Sequence, residues 1–589
     1  MKLNPDLLWC AGWGLLGFVF LVVILICFSH TIANLFRDIP GRIVQLFTIG
    51  NLITIVFCVL AGVAAVHFGD FPSYTTIGTS LIGLGIVWLS TTPKKEEEIV
   101  AELGGYSWNK NDFCRHWLIT GQIGTGKTTA AITNLQDSVF QHNPHRSDEN
   151  GLILEHGWGG VCIDDKGTYW EFLQAMADHH GRSQDLELLQ TRPEWADHSW
   201  KPKTILNPLS DDRIPANTYA DAIATCYRNA SDGVEGNAFF TNQAVSNIGM
   251  GIELARMLGR FPCLHEINDI LQGSDLMQAA LQKIEERLSK SEIPLDKVER
   301  AKTVISHFKT KFLNQPEEQL GGVKSTIGNY LNYFGTPDVV EVFGQPSGNT
   351  VEFSDIDRGK IFCISMPQKY QIERRYIGSL LIVLFLQHAK RRFDALARQR
   401  ANSNIIALWA DEAQRFLSGR EDADILREAK AAIIASTQMH EGFYPSMRRE
   451  VADVFIGNLS NRVIFRAASR ASAEASANYI GQKDVWKRSY SYGKGGRSVS
   501  RHKEEEFKLR PTDLMNEKKF PTFTAVVYHC AKGWRKRKLK PLLVTTLQKR
   551  AEATREARAK RTPVDSAVQV IGARDQENEK GLDQQPQST

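Results

Sequence analysis

Three apolar runs dominate the first hundred residues of this 589-residue chain: Leu7–Phe28, Ile43–Phe68 and Tyr74–Leu89. The first two are long enough for the ~20 residues that a membrane helix needs, and the third is shorter. A cleaved signal peptide is the alternative for the first run. However, only Lys2 precedes that run, the run is too long, and no small-residue cleavage site follows it. The pattern predicts a membrane anchor of two or three helices over residues 1–95.

Basic residues bear on how this anchor crosses the membrane. With three spans, the loop that carries Arg37 and Arg42 lies on the same side as Lys94 and Lys95, which is the cytosolic side. With two spans, that loop lies outside, and the third run is interfacial or packs on the soluble part. The charges favour three spans.

Beyond an acidic linker at Glu96–Glu98, apolar runs of strand length alternate with helical patterns. The strand-like runs are Trp117–Thr120, Gly160–Gly167, Thr204–Leu209, Lys360–Ser365, Asn404–Glu412 and Ala432–Gln438. A long apolar helix is predicted at Ile377–His388, with basic residues after it. Strands that alternate with helices indicate a mostly parallel sheet with helices on both faces.

Residues 238–340 follow a different pattern. Apolar residues recur there at helical spacing, for example at Ile248 and Ile252, and charged residues crowd Glu285–Lys311. Runs of β-branched residues are scarce. This pattern predicts an all-helical domain inserted into the α/β fold.

The composition excludes some classes of protein. Apolar residues make up 42% of the chain and the formal net charge is +5, and neither value identifies a partner. The nine cysteines include no C-x-x-C pair, and their number is odd. This argues against both a disulfide framework and a zinc site, so the bulk of the chain is predicted to be cytosolic.

The stretch Gly121–Thr129 has the pattern G-x-x-x-x-G-K-[ST] between a strand-like run and a helical run. Its glycines permit a tight turn whose N–H groups cradle phosphates at the positive end of the helix dipole. Lys127 would reach the β- and γ-phosphates, and the Thr128 hydroxyl would ligate Mg²⁺. A glycine-rich turn that only happens to contain lysine does not explain all eight positions. The predicted ligands are ATP and Mg²⁺, bound by Gly121, Gly124, Thr125, Gly126, Lys127, Thr128 and Thr129.

Two later strand-like runs end in polar residues that suit nucleotide hydrolysis. Asp411 would complete the Mg²⁺ shell, and Glu412 would orient and polarise the attacking water; acids that only cap the next helix are the alternative. Gln438 could reach the γ-phosphate, or be an ordinary turn residue. Arg427, on a predicted helix between these runs, is either an arginine finger for a neighbouring subunit or a solvated surface residue.

The last quarter of the chain is strongly basic. From Lys483 to Arg561 it has 23 Lys and Arg residues against 8 Asp and Glu residues. Aromatic residues lie among them, at Trp486, Tyr490, Tyr492 and Trp534. This mixture suits phosphate contact and base stacking in a nucleic acid, although a loop beside an anionic membrane would select the same charges. The Gly- and Ser-rich span Ser489–Ser500 is predicted to be flexible.

Taken in order, these motifs resemble the type IV secretion coupling proteins, the membrane-anchored hexameric ATPases of bacterial conjugation and effector export. The resemblance covers about Leu118 to Leu543. This chain has Asp165 where the family usually has proline, and three apolar runs where the family usually has two membrane spans. The matching features are the N-terminal runs, Gly121–Thr129, Asp164-x-Lys166-Gly167, Asn207-Pro208-Leu209, the helical insertion, Asp411-Glu412, an arginine eleven residues before Gln438, and Leu509–Leu543.

The resemblance implies a RecA-like P-loop NTPase core and a homo-hexamer around a channel. It further implies ATP-driven transfer of single-stranded DNA bound by a relaxase, or of effector proteins, into a type IV secretion channel. The location implied is the bacterial inner membrane, with the ATPase domain in the cytosol. The resemblance assigns the arginine finger to Arg427 and the sensor to Gln438. The predicted catalytic residues are Lys127, Glu412, Arg427 and Gln438, and the predicted metal ligands are Thr128 and Asp411.

The predicted domains therefore follow the motifs. They are the anchor (1–95), a first nucleotide-binding part (96–237), the helical insertion (238–340), a second nucleotide-binding part (341–545), and a charged, disordered tail (546–589). From Gln548 the tail is predicted to start as a charged helical run and then to lose its apolar residues.

Two other functions fit parts of the sequence. A chromosome-type translocase of double-stranded DNA would lack the helical insertion and carry a winged-helix domain after the motor, which is not expected in Gln548–Thr589. A non-catalytic membrane receptor for secretion cargo would not need both Lys127 and Glu412.

Overall fold

The computed structural model of the protein describes residues 98–150, 152–230, 237–259, 261–344, 350–418, 423–493 and 496–557. By internal contacts the chain divides into Met1–Glu98 and Ile99–Thr589, and nearly all described residues belong to the second unit. The three predicted membrane runs lie outside the described residues. Among the residues that are described, no helix has both the length and the apolar character needed to cross a bilayer.

A nine-stranded sheet lies at the centre of the second unit. The strands of the described residues, in this sheet and in three two-stranded ones, are β1 (Ile99–Leu103), β2 (Tyr106–Asn109), β3 (Trp117–Thr120), β4 (Arg146–Ser147), β5 (Ile153–Glu155), β6 (Gly159–Asp164), β7 (Leu186–Gln190), β8 (Ile361–Ser365), β9 (Ile406–Asp411), β10 (Ala431–Thr437), β11 (Asn461–Ile464), β12 (Gln482–Gly493), β13 (Gly496–Phe507), β14 (Thr524–His529) and β15 (Gly533–Lys538). The sheet has the order β15-β14-β11-β3-β10-β9-β6-β8-β7. The strands from β11 to β7 are parallel, and β14 and β15 add an antiparallel edge. The prediction of a mostly parallel sheet is confirmed.

The parallel strands are buried on both faces, which explains why they are continuous apolar runs. Side chains alternate between the two cores, as strand geometry requires. Val161 and Ile163 of β6 belong to one core, whereas Cys162 belongs to the other. Each large apolar residue of the central strands therefore belongs to one core or the other.

Helices cover both faces of this sheet. Their bounds are α1 (Lys110–Phe113), α2 (Thr133–His142), α3 (Trp170–His180), α4 (Ala216–Ala230), α5 (Ala238–Met257), α6 (Leu264–Gln272), α7 (Ser274–Ser289), α8 (Val298–Ser306), α9 (Glu317–Leu331), α10 (Pro337–Phe343), α11 (Gln371–Arg391), α12 (Ala397–Asn402), α13 (Arg449–Asn458), α14 (Arg470–Ile480) and α15 (Pro511–Met515). Helices α2 and α3 pack on one face, and α11 packs on the other. The long apolar helix predicted at Ile377–His388 lies within α11.

The described residues between 238 and 343 are helical and include no strand. Helices α5 to α9 share the core that α11 forms with the sheet. Helix α4 packs against both α5 and α11. Helical packing therefore begins before residue 238, within the part assigned from the sequence to the nucleotide-binding domain.

One other local prediction is wrong. Thr204–Leu209 is not a strand, because only an isolated bridge between Ile205 and Thr350 forms there. The described residues of Ser489–Ser500, a span predicted to be flexible, belong to the antiparallel hairpin β12–β13. The helical run predicted at the start of the tail is present, since residues 544–557 form a helix.

This last helix packs on the core through two buried side chains, Leu547 and Ala551. Arg550 forms an ion pair with Asp137 of α2 at 3.3 Å. The apolar contacts supply the burial that the composition of the following residues lacks.

Gly160 offers a direct test of how tightly the central strands pack. Its φ is 151°, and a Cβ atom there would lie 2.0 Å from the carbonyl oxygen of Ala407 on β9. We expect Gly160→Ala to lower the free energy of unfolding by about 2–4 kcal/mol, because either the backbone or β9 must shift. The control is Gly321→Ala in α9, where no atom lies within 4 Å of the new Cβ. That change should be neutral or stabilise by about 0.5–1 kcal/mol. Equal thermal midpoints for Gly160→Ala and the unmodified protein would contradict this packing.

Candidate nucleotide-binding site

The phosphate loop leaves the carboxyl end of β3 and leads into a π-helical turn at Lys127–Ile132, which α2 continues. Two positions in this loop accept only glycine. A Cβ at Gly121 would lie 2.6 Å from the Cβ of Phe465, and a Cβ at Gly126, where φ is 108°, would lie 2.5 Å from the Phe523 ring. The loop therefore has the open backbone that cradles phosphate oxygens.

Lys127 lies inside this loop rather than in solvent. Its side chain is buried, and Nζ donates a hydrogen bond to the Gly121 carbonyl at 2.9 Å. Burial lowers the pKa of Lys127, and the nearby carboxylates of Glu412 and Asp411 act in the opposite direction. A cation held in this way gains most from a multiply charged anion, which matches a nucleotide phosphate.

Thr128 and Asp411, the two predicted metal ligands, are in direct contact. The Thr128 hydroxyl donates to Oδ2 of Asp411 at 2.7 Å, and the Ser436 hydroxyl donates to Oδ1 of the same carboxylate at 2.7 Å. Ser436 lies on β10, beside Asp411 at the end of β9. Ser436 could not be selected from the sequence, because its contact with Asp411 depends on the pairing of β9 with β10.

Glu412 has an unusual backbone for a residue with a side chain. Its φ and ψ are 53° and 48°, in the left-handed region, where strain often accompanies function. Its carboxylate accepts hydrogen bonds from Gln414 Nε2 at 2.7 Å and from Gln438 Nε2 at 3.4 Å. The structure thus brings Glu412 and Gln438 together and adds Gln414, which the sequence did not indicate.

Asp164 is a further carboxylate at this edge of the sheet. It ends β6 directly opposite Asp411 on β9. Burial raises its pKa to about 6, while the backbone N–H groups of Thr168 and Tyr169 donate to Oδ2. The other oxygen, Oδ1, is buried and has no hydrogen-bond partner. An unpaired carboxylate oxygen beside Asp411 suits a cation or its water shell, so the donor set fits Mg²⁺.

Most of these residues line one cavity of about 490 Å³, within the usual range for cofactor pockets. Predicted residues in its wall are Gly124, Gly126, Lys127, Thr128, Thr129, Asp411, Glu412 and Gln438. Gly121 and Thr125 shape the loop from behind. The wall also contains residues not predicted as ligands, namely Ile123, Asp164, Lys166, Thr168, Tyr169, Phe172 and Phe523. The aromatic members offer apolar surface of the kind that a nucleotide base contacts.

Comparison with known proteins agrees with this geometry. Residues 406–523 match the family described as the TraM recognition site of TraD and TraG. Over these residues the chain is similar to the coupling proteins TraD and TraG. The resemblance that the ordered motifs predicted is therefore confirmed.

Solved structures share the fold. The plasmid coupling protein TrwB in complex with the ATP analogue ADPNP matches with 14% sequence identity and a TM-score of 0.50, over 77% of this chain and 91% of that one. The trigonal sulphate complex of TrwB matches with 13% identity, a TM-score of 0.50 and the same coverage. No match is found among curated proteins.

The departure from the coupling proteins at Asp165 has a structural counterpart. Arg375 donates two hydrogen bonds to the Asp165 carboxylate, at 2.8 and 3.0 Å. The neighbouring Arg374 is fully buried and donates to the carbonyls of Asp165 and Met366. Where the family's proline would restrict the backbone covalently, this chain fixes the same loop with two arginines of α11.

Arg427 is not brought to the site of its own chain. It is exposed in a series of turns that precedes β10, not on the predicted helix. This segment lies at the amino ends of the strands, whereas Gln438 and Glu412 lie at the carboxyl ends. Any role of Arg427 in hydrolysis must therefore concern another subunit.

His116 holds the segment that carries Arg427. The buried imidazole contacts the Ala423 carbonyl through Nε2 at 2.5 Å, and its Nδ1 accepts from the N–H of Ile433 on β10 at 3.0 Å. These partners require the neutral ring with a proton on Nε2. Burial lowers the pKa of His116 to about 4.

Acid should therefore destabilise the fold through His116. Its folded-state pKa lies below the usual 6.5, so its contribution is present above pH 6.5 and is lost as the pH falls toward 4. Lowering the pH from 7 to 5 should remove about 2 kcal/mol of stability through this residue. We expect His116→Gln to flatten the dependence of the thermal midpoint on pH in this range. His502→Gln, on an exposed residue, is the control. Parallel curves for the unmodified protein and His116→Gln would contradict this assignment.

Proposed function

We propose that this protein is a membrane-anchored, hexameric ATPase that couples single-stranded DNA, carried by a relaxase, to a type IV secretion channel. The observation that carries the proposal is the hydrogen bond between Thr128 and Asp411, beside Glu412 and Gln438 in one cavity. A phosphate loop, a metal-binding pair and a water-orienting carboxylate are the parts that P-loop hydrolysis requires.

In this proposal each residue of the site has one role in ATP hydrolysis. The loop amides from Gly121 to Thr129 and the Lys127 ammonium bind the phosphates, and Thr128 and Asp411 hold Mg²⁺. When bound, Mg²⁺ supplies positive charge that offsets the charge on the phosphates. Glu412 orients the attacking water, and its two amide partners, Gln414 and Gln438, fix its direction. The TrwB structure with an ATP analogue supports ATP as the ligand.

The partners follow from the family match and the charge. The matched region is described as a recognition site for TraM, which supports docking of a DNA-processing complex or of effector proteins. The basic residues after Lys483 support contact with DNA. The apolar runs before residue 95 support a multi-pass anchor in the bacterial inner membrane, with the ATPase domain in the cytosol.

Hydrolysis by the full-length protein, reconstituted in lipid, tests the proposal. We expect Glu412→Gln to retain ATP binding and to lower kcat about 10²–10⁴-fold, because the water loses its orienting carboxylate. Lys127→Ala should lose nucleotide binding itself. Single-stranded DNA should stimulate the unmodified protein and not Glu412→Gln.

Other outcomes distinguish the alternatives. Hydrolysis that is indifferent to DNA would favour protein cargo alone. Absence of hydrolysis together with cargo transfer that survives Lys127→Ala would favour a non-catalytic receptor. Stimulation by double-stranded DNA only would favour a chromosome-type translocase.

Arg427 provides a test of the hexamer. If it completes the site of a neighbouring subunit, Arg427→Ala should lower kcat about 10³-fold or more and leave nucleotide affinity intact. Mixing Arg427→Ala with Glu412→Gln subunits should then restore activity, because about a quarter of the interfaces in a random 1:1 ring contain both intact residues. Arg398→Ala, at an exposed position of α12, is the control. Mixtures that remain as inactive as the separate variants would exclude an arginine finger at this position.

A further inference from the structure

The hairpin β12–β13 carries a chemically distinct row of side chains on one face. Residues paired across an antiparallel ribbon share a face, so Trp486 and Lys503 lie together, followed by Arg488 with Arg501 and Tyr490 with Val499. All six side chains are exposed. Trp486 is 68% exposed, which is too much for a core residue. We call this set of six residues the cationic–aromatic face.

On the opposite face of the same hairpin, basic side chains lie beside acidic ones. It carries Lys483 with Glu506, Val485 with Glu504, Lys487 with His502, and Ser489 with Ser500. Lys487 forms ion pairs with Glu504 at 2.7 Å and with Glu506 at 3.0 Å. This face therefore has little charge left for a partner.

On the cationic–aromatic face, the two arginines have no acidic partner among the described residues. Lys503 forms an ion pair with Asp484 at 2.6 Å, near the base of the hairpin. Neither Arg488 nor Arg501 has a hydrogen-bond or ion-pair partner within the described part of the chain. Like charges placed directly across a ribbon weaken it, so this pair favours an anion that binds between them.

The aromatic residues narrow the choice of anion. Trp486 and Tyr490 flank Arg488 on β12, roughly 13 Å apart at the usual strand rise. Exposed rings that alternate with guanidinium groups are suited to stack bases and contact phosphates of a single strand. Duplex DNA hides the faces of its bases, and a flat anionic membrane would also meet the acidic residues Asp484 and Glu505.

We infer that the cationic–aromatic face is a contact site for single-stranded nucleic acid, with Arg488 and Arg501 on phosphates and Trp486 and Tyr490 on bases. The inference rests on the proposed function in one respect: it takes the bound strand to be the DNA cargo of that function. Contact of this kind needs no base sequence, because every base has a stacking face.

Binding of a fluorescent oligo(dT) to the full-length protein, without nucleotide, tests the site. Arg488→Gln/Arg501→Gln should weaken binding at least tenfold and reduce the slope of log affinity against log salt by about 1.4, since each lost phosphate contact removes about 0.7. Trp486→Ala should weaken binding about 10- to 100-fold. Trp486→Phe, which keeps a stacking ring, should recover most of that loss.

The hairpin supplies its own matched control. Lys483→Gln/Lys487→Gln removes the same two charges from the opposite face and should change the affinity less than twofold. Basal hydrolysis without DNA should persist in all these variants, because none of the substituted residues lines the nucleotide cavity.

Four outcomes would overturn the inference. In two of them, the arginine and lysine double variants weaken oligo(dT) binding equally, or neither variant weakens it. In the other two, the arginine double variant keeps oligo(dT) binding but loses binding to phosphatidylserine vesicles, or it weakens the binding of duplex DNA alone. If the hairpin binds oligo(dT) but the protein does not hydrolyse ATP, the contact site stands and the proposed function is refuted. If the protein hydrolyses ATP normally but the hairpin variants bind oligo(dT) as tightly as the unmodified protein, only the contact site is refuted.

Discussion

The hydrogen bond between Thr128 and Asp411 joins residues that lie 283 positions apart, and the sheet between them makes it possible. Strand β10 pairs in parallel with β3 on one side and with β9 on the other. This arrangement aligns the carboxyl ends of three strands, so the phosphate loop, Ser436 and Asp411 meet at one edge. A change of one position in the register would point Asp411 into the other face of the sheet, because side chains alternate along a strand. The buried faces of the central strands therefore set the geometry of the site.

The same edge collects features that are unfavourable in isolation. Lys127 is a buried ammonium whose pKa is lowered, Asp164 is a buried carboxyl whose pKa is raised, and Glu412 is strained. Each opposes folding, since burial disfavours a charged group and a strained backbone costs about 1–3 kcal/mol. The rigid core of the sheet offsets these terms. Their concentration in one cavity is typical of a site that binds a charged ligand.

The sequence predicted the elements that a single local pattern specifies. Fully buried strands such as β6, β9 and β10 appear as apolar runs, and the phosphate loop is identified by the fixed spacing of its Gly, Lys and Thr residues. Ser436, Gln414 and Phe523 could not be selected, because their roles arise from contacts with residues distant in sequence. The hairpin was not predicted, because the Gly and Ser residues of Ser489–Ser500 indicated only flexibility. Its strand character comes from cross-strand pairing, which composition does not encode.

The hairpin is linked to the phosphate loop by the segment that follows it along the chain. Strand β13 ends at Phe507, and the chain then passes through α15 to Phe523, whose N–H donates to the Thr125 carbonyl at 2.9 Å. The Phe523 ring fills the space beside Gly126, and the N–H of Leu542 donates to the Thr129 carbonyl at 2.7 Å. The segment that follows the hairpin thus contacts the phosphate loop on three of its residues. This segment is the covalent connection between the hairpin that carries the cationic–aromatic face and the residues that pack on the phosphate loop.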